Sequence, residues 1–204
     1  MSSAVNPDDL GVIVSIFIQR EPLKRGRAPL RRYCTDDIVA VPAIRVDRTG
    51  VIGETVDNQT IVDVHNTQHP ASRDRKGTAG VSFMATGDYG WLRERYGAHL
   101  VDGSAGCTLL LDNDAGLAER AFPDGVTIHT ASGQLHLDTV QAAEPCVEFS
   151  RFCLGLPPAP AVGDDVRQAL IDLDRGHRGH LGVATQPGLV RIGDRVSIAP
   201  GPTT

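Results

Sequence analysis

The side chain placed best for chemistry is Cys146, in Glu144-Pro145-Cys146-Val147-Glu148-Phe149. Pro145 ends the strand that precedes it and puts Cys146 at or near a helix N-terminus. Exposed amides and the helix dipole favour a thiolate there. A thiolate is the reactive form for sulfur transfer and the ligand form for a soft metal. The plainer alternative is a buried structural cysteine. Cys153 lies seven residues on, on the same helical face, a position that suits core packing. Cys107 ends a Gly-x-x-Gly-Cys stretch beginning at Gly103, and Cys34 falls in a loop. The four cysteines form no Cys-x-x-Cys, so the pattern of a structural zinc site is missing.

Histidines and arginines supply the other candidates. His65 and His69 are four apart, a ligand spacing on a helix, but their segment has no helical pattern. A loop site and plain solvent exposure both remain open for them. Arg175-Gly176-His177-Arg178-Gly179 could make an anion site, because glycine lets backbone amides approach a phosphate. Arg73 and Arg75 form a second such cluster. These arginines matter only if the fold carries them to Cys146. The acid pairs Asp36-Asp37 and Asp164-Asp165 are adjacent in sequence and read as helix caps, not as an acid/base pair. No Gly-x-Ser-x-Gly elbow, Walker loop or Gly-x-Gly-x-x-Gly occurs.

Composition narrows the partners. The 204 residues carry a net charge of -5, so the basic footprint of a nucleic-acid module is absent. The local basic run Arg20–Arg32 reads as a solvated loop. Lys24 and Lys76 are the only lysines, which argues against a Schiff-base lysine and pyridoxal phosphate chemistry in this chain. The longest apolar run, Val12–Ile18, is far short of a membrane span, and Asp8 and Asp9 sit where a signal peptide would want positive charge. The expectation is a cytoplasmic protein with reduced thiols and neither membrane nor nucleic acid as partner.

The elements that must position these residues are short. With 22 Gly, 13 Pro and 4% aromatics, the chain is turn-rich. Residues 1–10 and 200–204 read as tails around a single domain, 11–199. Strands are expected at Val12–Gln19, Ile38–Val46 with a break at Pro42, Thr60–His65, Gly80–Ala85, near Cys107–Leu111, Val126–Thr130, Gln134–Gln141, Gly182–Thr185 and Arg195–Ile198. Residues 20–36 and 66–78 read as long loops. Helices are expected from Thr86 to Gly97, over Cys146–Leu154 and over Asp164–Asp174, with a short one at 115–122. Strands that do not alternate with helices favour a mainly β fold, a β-barrel with three or four peripheral helices.

The order of these features resembles the MOSC domain, named for the C-terminal domain of molybdenum cofactor sulfurase, from about Val12 to Ile198. Gly50-Val51-Ile52-Gly53-Glu54 is similar to the family's Gly-x-x-Gly-Asp turn, with Glu54 in place of Asp. His65 to Arg73 occupies the place of its His- and Arg-containing loop. Gly103-Ser104-Ala105-Gly106-Cys107-Thr108-Leu109 resembles its Gly-x-x-Gly-Glu-Asn-Leu segment, with Cys107 and Thr108 replacing Glu and Asn. The most specific matches are Pro145-Cys146 and the closing stretch Gly188-Leu189-Val190-Arg191-Ile192-Gly193-Asp194. The resemblance implies a closed MOSC-type barrel that binds a molybdopterin-type molybdenum cofactor. Cys146 would be metal ligand and catalytic residue. Arg73, Arg175, Arg178, His65, Gly106 and Thr108 would contact the cofactor. It further implies an oxidoreductase that reduces small N-hydroxylated compounds with electrons from a donor protein. The alternative it leaves is a carrier of sulfur or cofactor, its Cys146 persulfide filled by a pyridoxal phosphate-dependent cysteine desulfurase.

Overall fold

Strand formation follows the β-branched runs, and one long strand closes the molecule. The computed structural model describes residues 8–72 and 80–200. The first half holds β1 (Asp9–Gln19), β2 (Lys24–Arg25), β3 (Arg32–Tyr33), β4 (Ile38–Ala40), β5 (Ala43–Asp47), β6 (Gly50–Glu54), β7 (Thr60–Val62) and β8 (Val81–Ala85). Helix α1 (Thr86–Tyr96), β9 (Leu109–Asp112), β10 (Val126–Thr130) and β11 (Gly133–Ala142) follow. The chain ends with α2 (Val147–Cys153), α3 (Asp164–Asp172), β12 (His180–Ala184), β13 (Gly188–Arg191) and β14 (Arg195–Ile198).

Seven strands form a closed barrel in the order β1-β14-β10-β11-β12-β8-β9, returning to β1. All neighbours are antiparallel except β8 and β9. A parallel pair needs a crossover, and α1 with the segment after it supplies one. Closure also needs β1 to bend, and its register shifts between Asp9 and Gly11. Gly11 has φ +114, and a Cβ there would lie 2.3 Å from the Asp112 carbonyl oxygen, so only glycine fits. The barrel therefore begins at Asp9, inside the expected tail of residues 1–10.

Period-2 alternation sorts the apolar side chains into two cores. Phe83, Leu109 and Leu111 join Ile13, Ile16, Ile128 and Leu137 in one. Met84 and Leu110, between them in sequence, join Tyr89, Leu92, Phe149 and Leu173 under the helices. The sheet β13-β5-β6-β7 adds Ile44, Val46, Val51 and Val190 to the first core.

The mainly β barrel with three helices agrees with the expectation from composition and turn spacing. Three local expectations are corrected. The segment 115–122 is not helical, because Asp88 captures its backbone. The Asp88 Oδ1 accepts the amides of Leu117 (2.8 Å) and Ala118 (3.2 Å), while Oδ2 accepts that of Ala85 (2.8 Å). The stretch Gly188–Arg191, where no strand is expected from the sequence, is strand β13, paired with β5. Pro42 does not merely interrupt a strand; it separates β4, paired with the end of β1, from β5 in the second sheet. Among the described residues no helix is long and apolar enough to cross a membrane.

Two predictions come from this core. Asp88 is 3% exposed, so Asp88→Ala leaves three amides without their acceptor and costs about 3 kcal/mol in urea unfolding. His180 is buried with its ring stacked on Phe83 (5.6 Å between centroids) and edge-on to Phe122 (4.9 Å). Burial lowers its pKa, against the opposing pull of the Asp88 charge and an Arg120 backbone hydrogen bond. The unfolded chain therefore binds a proton that the folded chain refuses. Stability holds above about pH 6.5 and falls as pH drops below it. Urea midpoints across that range should decline less steeply in His180→Phe.

Candidate functional site

Gln19, the last residue of β1, is buried and gathers the pieces of a cleft beside the barrel. Its side-chain Nε2 donates to the Gly106 carbonyl at 2.6 Å. Its backbone N–H donates to Asp63 Oδ2 at 2.8 Å, and its carbonyl accepts from Val64 N at 2.8 Å. The resulting cleft has a volume of about 740 Å³, in the size range of small-molecule sites. Leu23, Phe83 and Leu181 give it apolar wall. Cys146, Arg178, His65, Gly106 and Thr108 all line it.

Cys146 is the N-cap of α2, with extended backbone (φ −135°, ψ 152°), and its carbonyl accepts Ser150 N at 2.9 Å. This is where the Pro145 stop placed it. The other three cysteines are buried, and Cys146 alone is half-buried. Cys107 contacts the Tyr89 hydroxyl at 3.4 Å, and burial pushes its thiol up to about 11. Burial likewise pushes Cys153 up to about 12. Both stay protonated at neutral pH, so the cleft has one sulfur suited to reaction.

Arg178 is held by rings and not by an acid. Its guanidinium carbon lies 4.3 Å from the Phe149 centroid, and Nη2 is 3.5 Å from the Tyr33 hydroxyl. Its Nε is buried without a hydrogen-bond partner among the described residues. No carboxylate pairs with it there, so its charge is available to an anion. That charge works against burial at Tyr33, Cys107 and Cys153. Burial still wins at Tyr33, whose phenol titrates well above its usual range.

The loop that carries Gly106 and Thr108 forms the floor. Thr108 Oγ1 and Ser82 Oγ are 3.1 Å apart, and Ser82 Oγ accepts Thr108 N at 2.9 Å. Gly106 has φ +79, and a Cβ there would lie 2.8 Å from both Gln19 Nε2 and Leu23 Cδ1. His65 stands on the opposite tie of Gln19. Asp63 Oδ1 accepts the His65 backbone N–H at 2.8 Å and contacts its ring Nδ1 at 3.0 Å.

Arg175 does not join them. It is exposed, in a left-handed backbone conformation (φ +54°), and pairs at 4.0 Å with Glu119. The left-handed turn directs it to the surface three residues before Arg178. Arg73 lies outside the described residues. The basic run expected to be solvated is in part a wall of the site. Its small β2–β3 ribbon brings Lys24, Arg31 and Tyr33 to the cleft. Lys24 reaches Glu148 at 4.0 Å, and Arg25 pairs with Asp37. Sequence reasoning missed Gln19, Tyr33 and Asp63. The available signal was an acid inside the β-branched run Thr60–His65.

No protein-family model matches the chain, and no curated protein matches it either. Among the solved structures that share the fold are two of low sequence identity. One is the YUAD protein from Bacillus subtilis, with 11% identity and a TM-score of 0.52 over 91% of this chain and 93% of that one. The other, described as a hypothetical protein, has 12% identity and a TM-score of 0.53 over 93% of this chain and 69% of its own.

Differential burial predicts a single reactive thiol. Limiting iodoacetamide on the folded protein should alkylate Cys146, with Cys107 and Cys153 slower by about ten-fold or more. Peptide mass mapping reads this, and Cys146→Ser should abolish the fast phase.

Proposed function

We propose that this chain is a MOSC-type protein that binds a molybdopterin-type molybdenum cofactor in the cleft and reduces N-hydroxylated compounds. The observation that carries the reading is the meeting of Cys146, Arg178 and the Gly106–Thr108 floor in one cleft of about 740 Å³. The residues fit such a group. Among the described residues no set of three or more His, Cys, Asp or Glu stands ready to hold a bare ion. A metal that arrives within a cofactor carrying its own sulfur ligands would need one protein sulfur, and Cys146 would supply it. Arg178, with its unpartnered Nε, is the donor for a phosphate or pterin oxygen.

The bound group would supply the two-electron redox chemistry, with electrons from a separate donor protein. The chain's own residues orient and enclose. Phe149 stacks on the Arg178 guanidinium and fixes its direction. Leu23, Phe83 and Leu181 exclude water from part of the wall. Tyr33 stays neutral and hydrogen-bonds without adding negative charge. Arg175 has no part in this reading, because it faces Glu119.

A carrier role is the second reading, and the half-buried position of Cys146 favours it. A sulfur at the edge of a cleft can meet a partner's persulfide. A pyridoxal phosphate-dependent cysteine desulfurase would load it.

The test is purification from a host that makes the cofactor, followed by metal and pterin analysis. Stoichiometric molybdenum, lost in Cys146→Ser, is the expected result. Absence of both metal and pterin from the folded wild-type protein would overturn the cofactor reading. Reduction of a hydroxylamine with an artificial donor then separates enzyme from carrier. A persulfide mass on Cys146 after mixing with a desulfurase would favour the carrier.

A further inference from the structure

Reduction of an N–O bond needs protons as well as electrons, and Cys146 and Arg178 supply neither protons nor a base in the reading above. The cleft holds one imidazole, His65, and the structure gives it a partner of a particular kind. Asp63 is 3% exposed and spends both carboxylate oxygens on defined contacts. Its Oδ2 accepts Gln19 N at 2.8 Å, and its Oδ1 takes both the His65 amide (2.8 Å) and ring Nδ1 (3.0 Å). A carboxylate only accepts, so Nδ1 carries the hydrogen. The remaining nitrogen, Nε2, has no partner among the described residues, on a side chain that lines the cleft and is 35% exposed.

We infer that Asp63 and His65 form a carboxylate–imidazole dyad in which His65 Nε2 exchanges the proton of the reaction in this cleft. Asp63 is a positioning residue that fixes the tautomer and stabilises the imidazolium. His65 is the catalytic acid. In R–NH–OH reduction the N–O bond breaks and the leaving hydroxyl takes the Nε2 proton to depart as water. The nitrogen takes its second hydrogen as a proton from solvent. Two electrons come from the donor protein of the preceding reading, on which this inference rests. His65 is left as the neutral Nδ1–H tautomer and is reprotonated by water.

Other groups facing the cleft are accounted for. Lys24, Arg31 and Arg178 are cationic, Glu144 is acidic, and Cys146 belongs to the metal in this reading. Burial keeps Tyr33 and Cys107 protonated. Of all these, the imidazole alone has one ring nitrogen held by a buried carboxylate and the other left open on the cleft side.

The experiment uses the full chain from a cofactor-making host, as wild type, His65→Gln and Asp63→Asn. Nitrogen-15 NMR of the histidine rings reads the tautomer whether or not cofactor is bound. The expected result is a neutral His65 protonated on Nδ1 in wild type and a mixed tautomer in Asp63→Asn. Loaded His65→Gln should retain molybdenum and pterin. Its kcat should fall about 100-fold with KM little changed, and the alkaline fall in activity should vanish. Rate and pH profile unchanged in loaded His65→Gln would overturn the inference. So would loss of molybdenum from that variant, which would make His65 a cofactor contact, or an Nε2–H tautomer in wild type. If wild type binds no cofactor, the cofactor reading fails alone. The dyad then stands or falls on the tautomer, and its retention in folded Asp63→Asn overturns it.

Discussion

Three polar groups of Gln19 are committed at the end of β1, and the functional geometry depends on where they point. The residue is 7% exposed, so each group must find a protein partner or stay unsatisfied. Its Nε2 holds the Gly106 carbonyl, its amide holds Asp63, and its carbonyl holds Val64. Two segments far apart in the chain are thereby tied to one residue. Residues Asp9–Ile16 of β1 pair with β14 and β9 in the barrel, and Gln19, at the end of the same strand, pairs with Ile38 of β4. The cleft floor and its imidazole are tied to that strand end. A site on loops gains precision when the loops end on such an anchor.

Burial then divides the titratable groups of the cleft by role. Desolvation disfavours the charged form of a thiol or phenol, and it outweighs the Arg178 charge at Tyr33, Cys107 and Cys153. Those groups remain neutral packing and hydrogen-bonding elements. Cys146 caps α2 at the rim and is half-buried, where the other three cysteines are buried. Arg178 can keep its charge because an aromatic face and a phenol neighbour it without neutralising it. The cleft thus pairs a rim sulfur with an unspent positive charge. The same burial logic operates in the barrel, where His180 is kept neutral between two phenylalanines.

Much of the architecture was legible along the chain. Alternation marked Gln134–Gln141, and Ser132-Gly133 marked its hairpin, which forms as β10 and β11. The apolar stripe from Asp164 placed α3, with Val166 and Ala169 buried. Thr86 to Gly97 bounded α1, although Ala85 is its N-cap. Local pattern failed where a distant group took over the backbone. The helix expected at 115–122 lost to Asp88, thirty residues earlier, whose buried carboxylate needs those amides. Strand β13 (Gly188–Arg191) went unread because its pairing partner, β5, is far away in the sequence.

The sequence by itself determined that the protein would be a turn-rich β fold, and that Cys146 would sit at a helix start behind Pro145. Both follow from short-range rules: residue-type preference, periodicity and the missing amide of proline. Only the tertiary structure decided which arginine serves the cleft. Arg175 and Arg178 are three residues apart in one motif, yet a left-handed turn sends the first to Glu119 while the second lies on Phe149. Only the tertiary structure turned the basic run 20–32 into a wall of the cleft, and tied Asp63 to His65 and Gln19. Those outcomes depend on closing the barrel, which brings together groups dozens of residues apart and makes each buried polar atom choose a partner.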